Sequence, residues 1–121
     1  MIGKLLATVV LYYIEQLNHA LKNSSQFKEI CIDGPNGQSL CALINGKIGW
    51  LMYLRYNGDA GYSTRNPEET SDAALDFRLS NGQLDTYPRN WTYPVSAIKQ
   101  ALTSFIENGN LPDEVNWHAD F

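Results

Sequence analysis

Leu40-Cys41-Ala42-Leu43-Ile44-Asn45-Gly46-Lys47-Ile48-Gly49-Trp50-Leu51-Met52-Tyr53-Leu54-Arg55-Tyr56 holds two apolar runs separated by a single Asn-Gly pair. Asn and Gly both tolerate positive φ, so the pair fits a tight turn between antiparallel strands. A two-residue turn at Asn45-Gly46 predicts a hairpin in which Leu43 faces Ile48 and Cys41 faces Trp50. Ile48, Trp50, Met52 and Leu54 then share one face of the second strand, and Leu51 and Tyr53 share the other. Both faces are apolar, which predicts a central strand covered on both sides.

Working outward, Phe27 to Asp33 reads as a preceding strand, closed by the turn Gly34-Pro35-Asn36-Gly37. A loop centred on Asn36 sets Cys31 opposite Cys41, each five residues from the centre. A cross-strand disulfide fits that geometry, yet two cysteines without C-x-x-C spacing are expected as reduced core thiols. Ala74 to Ser80 and Gln83 to Tyr87 form a later hairpin around Asn81-Gly82, with Leu75, Phe77 and Leu79 alternating against Asp76, Arg78 and Ser80. Val10 to Lys22 shows helical periodicity, with Lys4 to Val9 open between strand and helix. Val95 to Asn108 is a second helix, started by Pro94 and capped by Gly109, and Val115 to Trp117 closes as a short strand. Asn57 to Ser71, rich in Gly, Asn, Ser, Thr and Glu, is expected to be a mobile, partner-facing loop. The fold class is α+β: one domain over 1–121, a mostly antiparallel sheet with an N-terminal helix and a C-terminal helix followed by a short strand.

Composition narrows the function. The 121 residues are 44% hydrophobic and 18% charged, which excludes disordered and coiled-coil classes. A net charge of −4 disfavours direct nucleic-acid or anionic-membrane binding, both of which need cationic groups. The apolar run Leu5 to Ile14 is shorter than a membrane span and leads straight into Glu15-Gln16-Leu17, so it reads as folded structure in a cytoplasmic protein. No phosphate loop, nucleophile elbow or metal-ligand spacing is present, and no cofactor or catalytic residue is expected. His19 and His118 read as solvated side chains. The carboxylate groups Glu68, Glu69, Asp72, Asp76 and Asp113, Glu114, Asp120 single out no catalytic pair.

What remains is an aromatic supply of seven Tyr and three Trp. Tyr56, Tyr62, Tyr87, Trp91 and Tyr93 fall at strand ends or in loops, and Tyr and Trp anchor protein interfaces. With the acidic neighbours Asp59, Glu68, Glu69 and Asp85, they form a candidate surface for a basic protein. Tyr62, Tyr87 and Trp91 with those four carboxylates are the expected binding residues.

The C-terminal third carries a further signal. Ala101-Leu102-Thr103-Ser104-Phe105, Gly109-Asn110-Leu111-Pro112 and Val115-Asn116-Trp117, after Leu51-Met52-Tyr53-Leu54, Gly58-Asp59-Ala60-Gly61 and Phe77-Arg78-Leu79-Ser80-Asn81-Gly82, resemble the first immunity-protein family (Imm-one) of bacterial polymorphic toxin systems. The resemblance spans roughly Ile48 to Trp117 and implies a non-enzymatic antidote that binds a cognate toxin domain and blocks its active site. Several relatives are paired with nucleic-acid deaminases, whose substrate groove is basic. It also implies folding roles for Phe105 in the core, Gly109 in the cap, Pro112 in the turn and Trp117 against the helix. Two rival classes stand beside it: a small enzyme using the clustered carboxylates, and a small-molecule-binding α+β domain. Edge strands leave a monomer or a weak homodimer open.

Overall fold

The computed structural model describes residues 13–22 and 26–121. Residues 13–22 are helical (α1). The expected helical residues from Val10 to Tyr12, and the segment Lys4 to Val9, lie outside the described residues. Then follow β1 (Phe27–Asp33), β2 (Ser39–Asn45), β3 (Ile48–Leu54), β4 (Tyr62–Arg65), β5 (Ala74–Arg78) and β6 (Leu84–Pro88). A 3-10 turn at Arg89–Trp91 leads to β7 (Tyr93–Pro94), α2 (Val95–Asn108) and β8 (Asn116–Ala119). The main sheet runs β1-β2-β3-β4-β8 with β7 also on β3, and β5-β6 form a separate hairpin. Every pairing is antiparallel. The domain is α+β, with the helix-then-strand ending read from the sequence.

Strand β3 is central and covered on both sides. On one side Leu51 and Tyr53 join Leu40, Ala42, Ile30 and Ile32 beneath Leu17, Ile98, Ala101, Leu102 and Phe105 of the two helices. Gly49 allows this contact: a Cβ there would lie 2.8 Å from the Leu43 carbonyl oxygen and 3.5 Å from Ile98. On the other side Trp50 and Leu43 pack with fully buried Phe77 beneath the β5-β6 hairpin. Polar ties fix that hairpin, with Ser80 N–H donating to Glu29 at 3.1 Å and Asn45 Nδ2 donating to the Asp76 carbonyl at 2.9 Å. The layers are helices, sheet, hairpin.

The outer edge of β3 is shared. β7 pairs with Ile48 and Gly49, β4 with Met52 and Tyr53, and Leu51 falls between them. Its N–H donates to Thr64 Oγ1 at 3.1 Å, and that hydroxyl donates to the Trp91 carbonyl at 2.8 Å. A fully buried threonine thus completes the ladder.

Three readings from the sequence are corrected. The β2-β3 register pairs Leu43 with Trp50 and Cys41 with Met52, because Gly46 at φ 63°, rather than Asn45, takes the first turn position. This moves the partners by two residues, so the face assignments are unchanged. Asn57 to Ser71 is not loop throughout, since Tyr62–Arg65 is β4, paired on both edges. Finally, Cys31 and Cys41, directly opposite in the β1-β2 ladder, are joined as a disulfide rather than held as thiols. Their sequence separation of 10 closes a loop worth about 3 kcal/mol in chain entropy. Reduction is expected to lower unfolding free energy by up to about that amount, measured by urea denaturation with and without dithiothreitol. An unchanged midpoint in both would show that the pair is not bonded in solution.

Candidate protein interface

The hairpin covers only part of its side of the sheet, and its margin is where the polar and aromatic groups gather. Alternation along β4 puts Ser63 and Arg65 on the face away from the helices, in the rows of Met52 and Asn116. The Arg65 guanidinium carbon lies 3.9 Å from the Trp91 ring centroid, and its Nη1 donates to Ser63 Oγ and to the Thr64 carbonyl, each at 2.8 Å. Trp91 meets Trp50 at 5.3 Å and Tyr87 at 5.6 Å, and Trp50 meets Tyr87 at 4.4 Å. Trp50 is buried, and its indole N–H has no hydrogen-bond partner among the described residues. Half-buried Tyr87, Trp91 and Arg65 therefore form one contiguous, pre-ordered strip of the three residue types that dominate interface energetics.

Carboxylates border this strip. Tyr87 Oη stands 3.3 Å from Asp85 Oδ2. Burial pushes the Tyr87 phenol above its ordinary value, and the charges of Asp85 and Glu29 act in the same direction. Beyond Arg65 lies a shallow groove of about 460 Å³ lined by Arg65, Asn66, Pro67, Glu69, Asn90 and Asn116. There the Ser71 N–H and then Arg89 hold the Glu69 carboxyl below its usual range. A second, apolar groove of about 240 Å³ runs between α1, Ile30, Cys31, Ile32 and Ile106.

The structure thus brings together Glu69, Asp85, Tyr87 and Trp91 of the expected set, with exposed Glu68 beside them in the turn after β4. It separates the other two. Tyr62 lies on the helix side of the sheet, against Tyr53 and Phe121. Asp59 is buried at the β3-β4 connection. Glu29, Arg65 and Arg89 were not anticipated from the sequence.

A model of the family described as Immunity protein Imm1 matches residues 13–119, from α1 to the last residue of β8. The chain belongs to the Imm1 immunity protein family. No individual curated protein matches it. Among the described residues no helix is long and apolar enough to cross a membrane, and no three His, Cys, Asp or Glu side chains gather as a metal site.

In this Imm1 domain the C-terminal motif residues form a connected block. Phe105 is core, and its carbonyl accepts the N–H of Gly109, whose φ of 71° caps α2. Gln38, also buried, donates to the Gly109 carbonyl at 2.8 Å and so ties the β1-β2 turn to the helix end. Pro112 is buried, and its carbonyl accepts the Trp117 indole N–H at 2.6 Å, while the Trp117 ring packs on the helix-side core.

Asp59 organises the connection between β3 and β4, at the same end of the sheet as the β1-β2 turn. Arg55 donates to both its oxygens, from Nε and Nη2 at 2.8 Å each, and the Arg55 backbone N–H adds a third bond at 3.0 Å. Arg55 also sits 4.0 Å from the Phe121 ring centroid. These bonds from Arg55 hold the Asp59 carboxyl well below the ordinary carboxylate range. A carboxyl depressed on folding contributes stability that is complete above its unfolded value, near pH 4, and is lost as pH falls toward the folded value. Asp59→Asn is expected to lower the melting temperature at pH 7 and to flatten the loss of stability below about pH 4. Parallel acid limbs for the two proteins, by thermal melts from pH 7 to pH 2, would show that the pair contributes nothing.

Proposed function

We propose that this chain neutralises a cognate bacterial toxin domain by binding it and covering its active site, with no chemistry of its own. Membership of the immunity family across residues 13–119 is the observation that carries this reading. The proposed contact surface is the strip of Tyr87 and Trp91 with Asp85, Glu68 and Glu69 at its border. Asp59 and Tyr62, first considered with them, support the loop behind Arg55 and fall outside the contact. Aromatic anchors that are already packed lose little conformational freedom on binding, so most of their buried area contributes to affinity.

A toxin that acts on nucleic acid, such as a deaminase, must offer a basic groove to a polyanion. The net charge of −4 suits such a target, steering the encounter and, once bound, excluding the substrate by charge as well as by bulk. The meeting place is the cytoplasm of the producing cell, where the toxin is made. Among the described residues β1 is an edge strand, and its charged Glu29 and Asp33 disfavour strand-to-strand self-association, which supports a monomer over a weak homodimer.

Co-expression with the toxin encoded beside this chain is expected to restore growth, and the purified pair to elute as a 1:1 complex. Tyr87→Ala and Trp91→Ala should each weaken binding by about 30-fold, mainly through faster dissociation, in surface-plasmon measurements. Glu68→Lys with Asp85→Lys should slow association and flatten its salt dependence. Absence of any complex with that toxin, or substrate turnover by the chain alone, would refute the proposal.

A further inference from the structure

The groove beside Trp91 is unbalanced in its hydrogen-bonding groups. Glu69 uses both oxygens, accepting from the Ser71 N–H at 3.1 Å and from Arg89 Nε at 3.2 Å. Asn66 donates through Nδ2 to the Thr92 carbonyl at 2.9 Å and accepts the Glu68 N–H at 3.1 Å. Asn116 donates through Nδ2 to Tyr93 Oη at 3.2 Å. Arg65 differs. A guanidinium has five N–H donors, and among the described residues only Nη1 finds hydrogen-bond acceptors, on Ser63 and Thr64, while Nε and Nη2 find none. Asp120 stands 3.8 Å from Nη2, near enough for an ion pair and too far for a hydrogen bond.

This arginine is also prepared for a partner. The Trp91 ring and the two Nη1 bonds fix the plane of the guanidinium, so little freedom remains to be lost. Partial burial removes some of its hydration. An oriented, partly dehydrated fork with one unbonded edge matches a carboxylate in two parallel hydrogen bonds. A shallow surface groove cannot shield a small ion from water, so the exclusion that strengthens such a fork has to come from a covering macromolecule.

Resting on the immunity reading above, we infer that Arg65 receives an acidic side chain of the toxin, an Asp or Glu that enters the groove lined by Asn66, Asn90 and Asn116. The acidic surface attracts a basic toxin at long range, whereas this one cation reads a single carboxylate at contact. Opposite signs at the two distances fix the docking register and reject a toxin lacking that carboxylate, because the Nε–Nη2 edge of Arg65 would then be covered without a hydrogen-bond acceptor.

The test is a double-mutant cycle by calorimetry. Arg65→Gln and Arg65→Lys are paired with a panel of toxin variants, each changing one surface Asp to Asn or Glu to Gln. R65Q is expected to weaken binding by about 30-fold and R65K by less, with melting temperatures confirming that both fold. One toxin variant should weaken wild-type binding by at least about tenfold and add nothing further to R65Q. Tight wild-type binding that R65Q leaves within about threefold overturns this inference and spares the immunity reading. So does a toxin panel in which no single change weakens the wild type by about tenfold, an outcome readable even if R65Q fails to fold. Millimolar inorganic phosphate that shifts the Arg65 Nε resonance of the isolated chain, with toxin affinity unchanged in R65Q, also overturns it in favour of a small-anion site. A wild-type chain that does not bind the toxin overturns both.

Discussion

A strand that is apolar on both faces cannot lie at a surface, and β3 imposes that constraint on the rest of this domain. Leu51 and Tyr53 need a layer on one side, Trp50 and Met52 on the other, and the backbone needs a partner on each edge. The helices meet the first need and the β5-β6 hairpin the second. β2 fills one edge along its length. The other edge is met piecemeal by β7 and β4, and the Leu51 N–H left between them is satisfied by one hydroxyl, that of Thr64. An unpaired donor at that depth would be more destabilising than the net worth of an ordinary hydrogen bond, which explains a fully buried threonine in an otherwise apolar layer.

The proposed interface follows from incomplete coverage. A hairpin of two five-residue strands is too short to hide its whole side of the sheet. Where it stops, Trp91 and Tyr87 are packed on their inner faces by Trp50 and by each other, and Arg65 lies across Trp91. The residues proposed to meet a partner are therefore held by the same contacts that build the second core. Affinity and stability on that side are consequently coupled, and substitutions among Trp50, Tyr87 and Trp91 are expected to be non-additive.

Most of the architecture was legible because it rests on period and punctuation. Alternation in β3 and β5, Asn-Gly turns, the Val95–Asn108 stripe and its Gly109 cap each carry a local physical signature. The β2-β3 partner shift turned on which of Asn45 and Gly46 takes the left-handed position, a choice that two turn-tolerant neighbours leave undecided. β4 was hidden because Tyr62-Ser63-Thr64-Arg65 has one large apolar residue, and its burial comes from partners distant in sequence. Missing that strand concealed Arg65, since only the strand's alternation puts it beside Ser63 and Trp91. Asp59 looked like a solvent-facing charge in a glycine-rich loop, and the cue that it pairs internally was Arg55 four residues earlier. For Cys31 and Cys41 the sequence sets the opposition but carries no information on oxidation.

The sheet also divides the molecule in a way that bears on its history. The block of Phe105, Gly109, Pro112 and Trp117 lies on or beyond the helix side, while the Tyr87-Trp91-Arg65 strip lies on the hairpin side, with a layer of backbone between them. The side chains of the two sides pack into different clusters. A lineage confronting a changing adversary can therefore diversify the proposed contact side while selection preserves the other, retaining the scaffold as that side drifts.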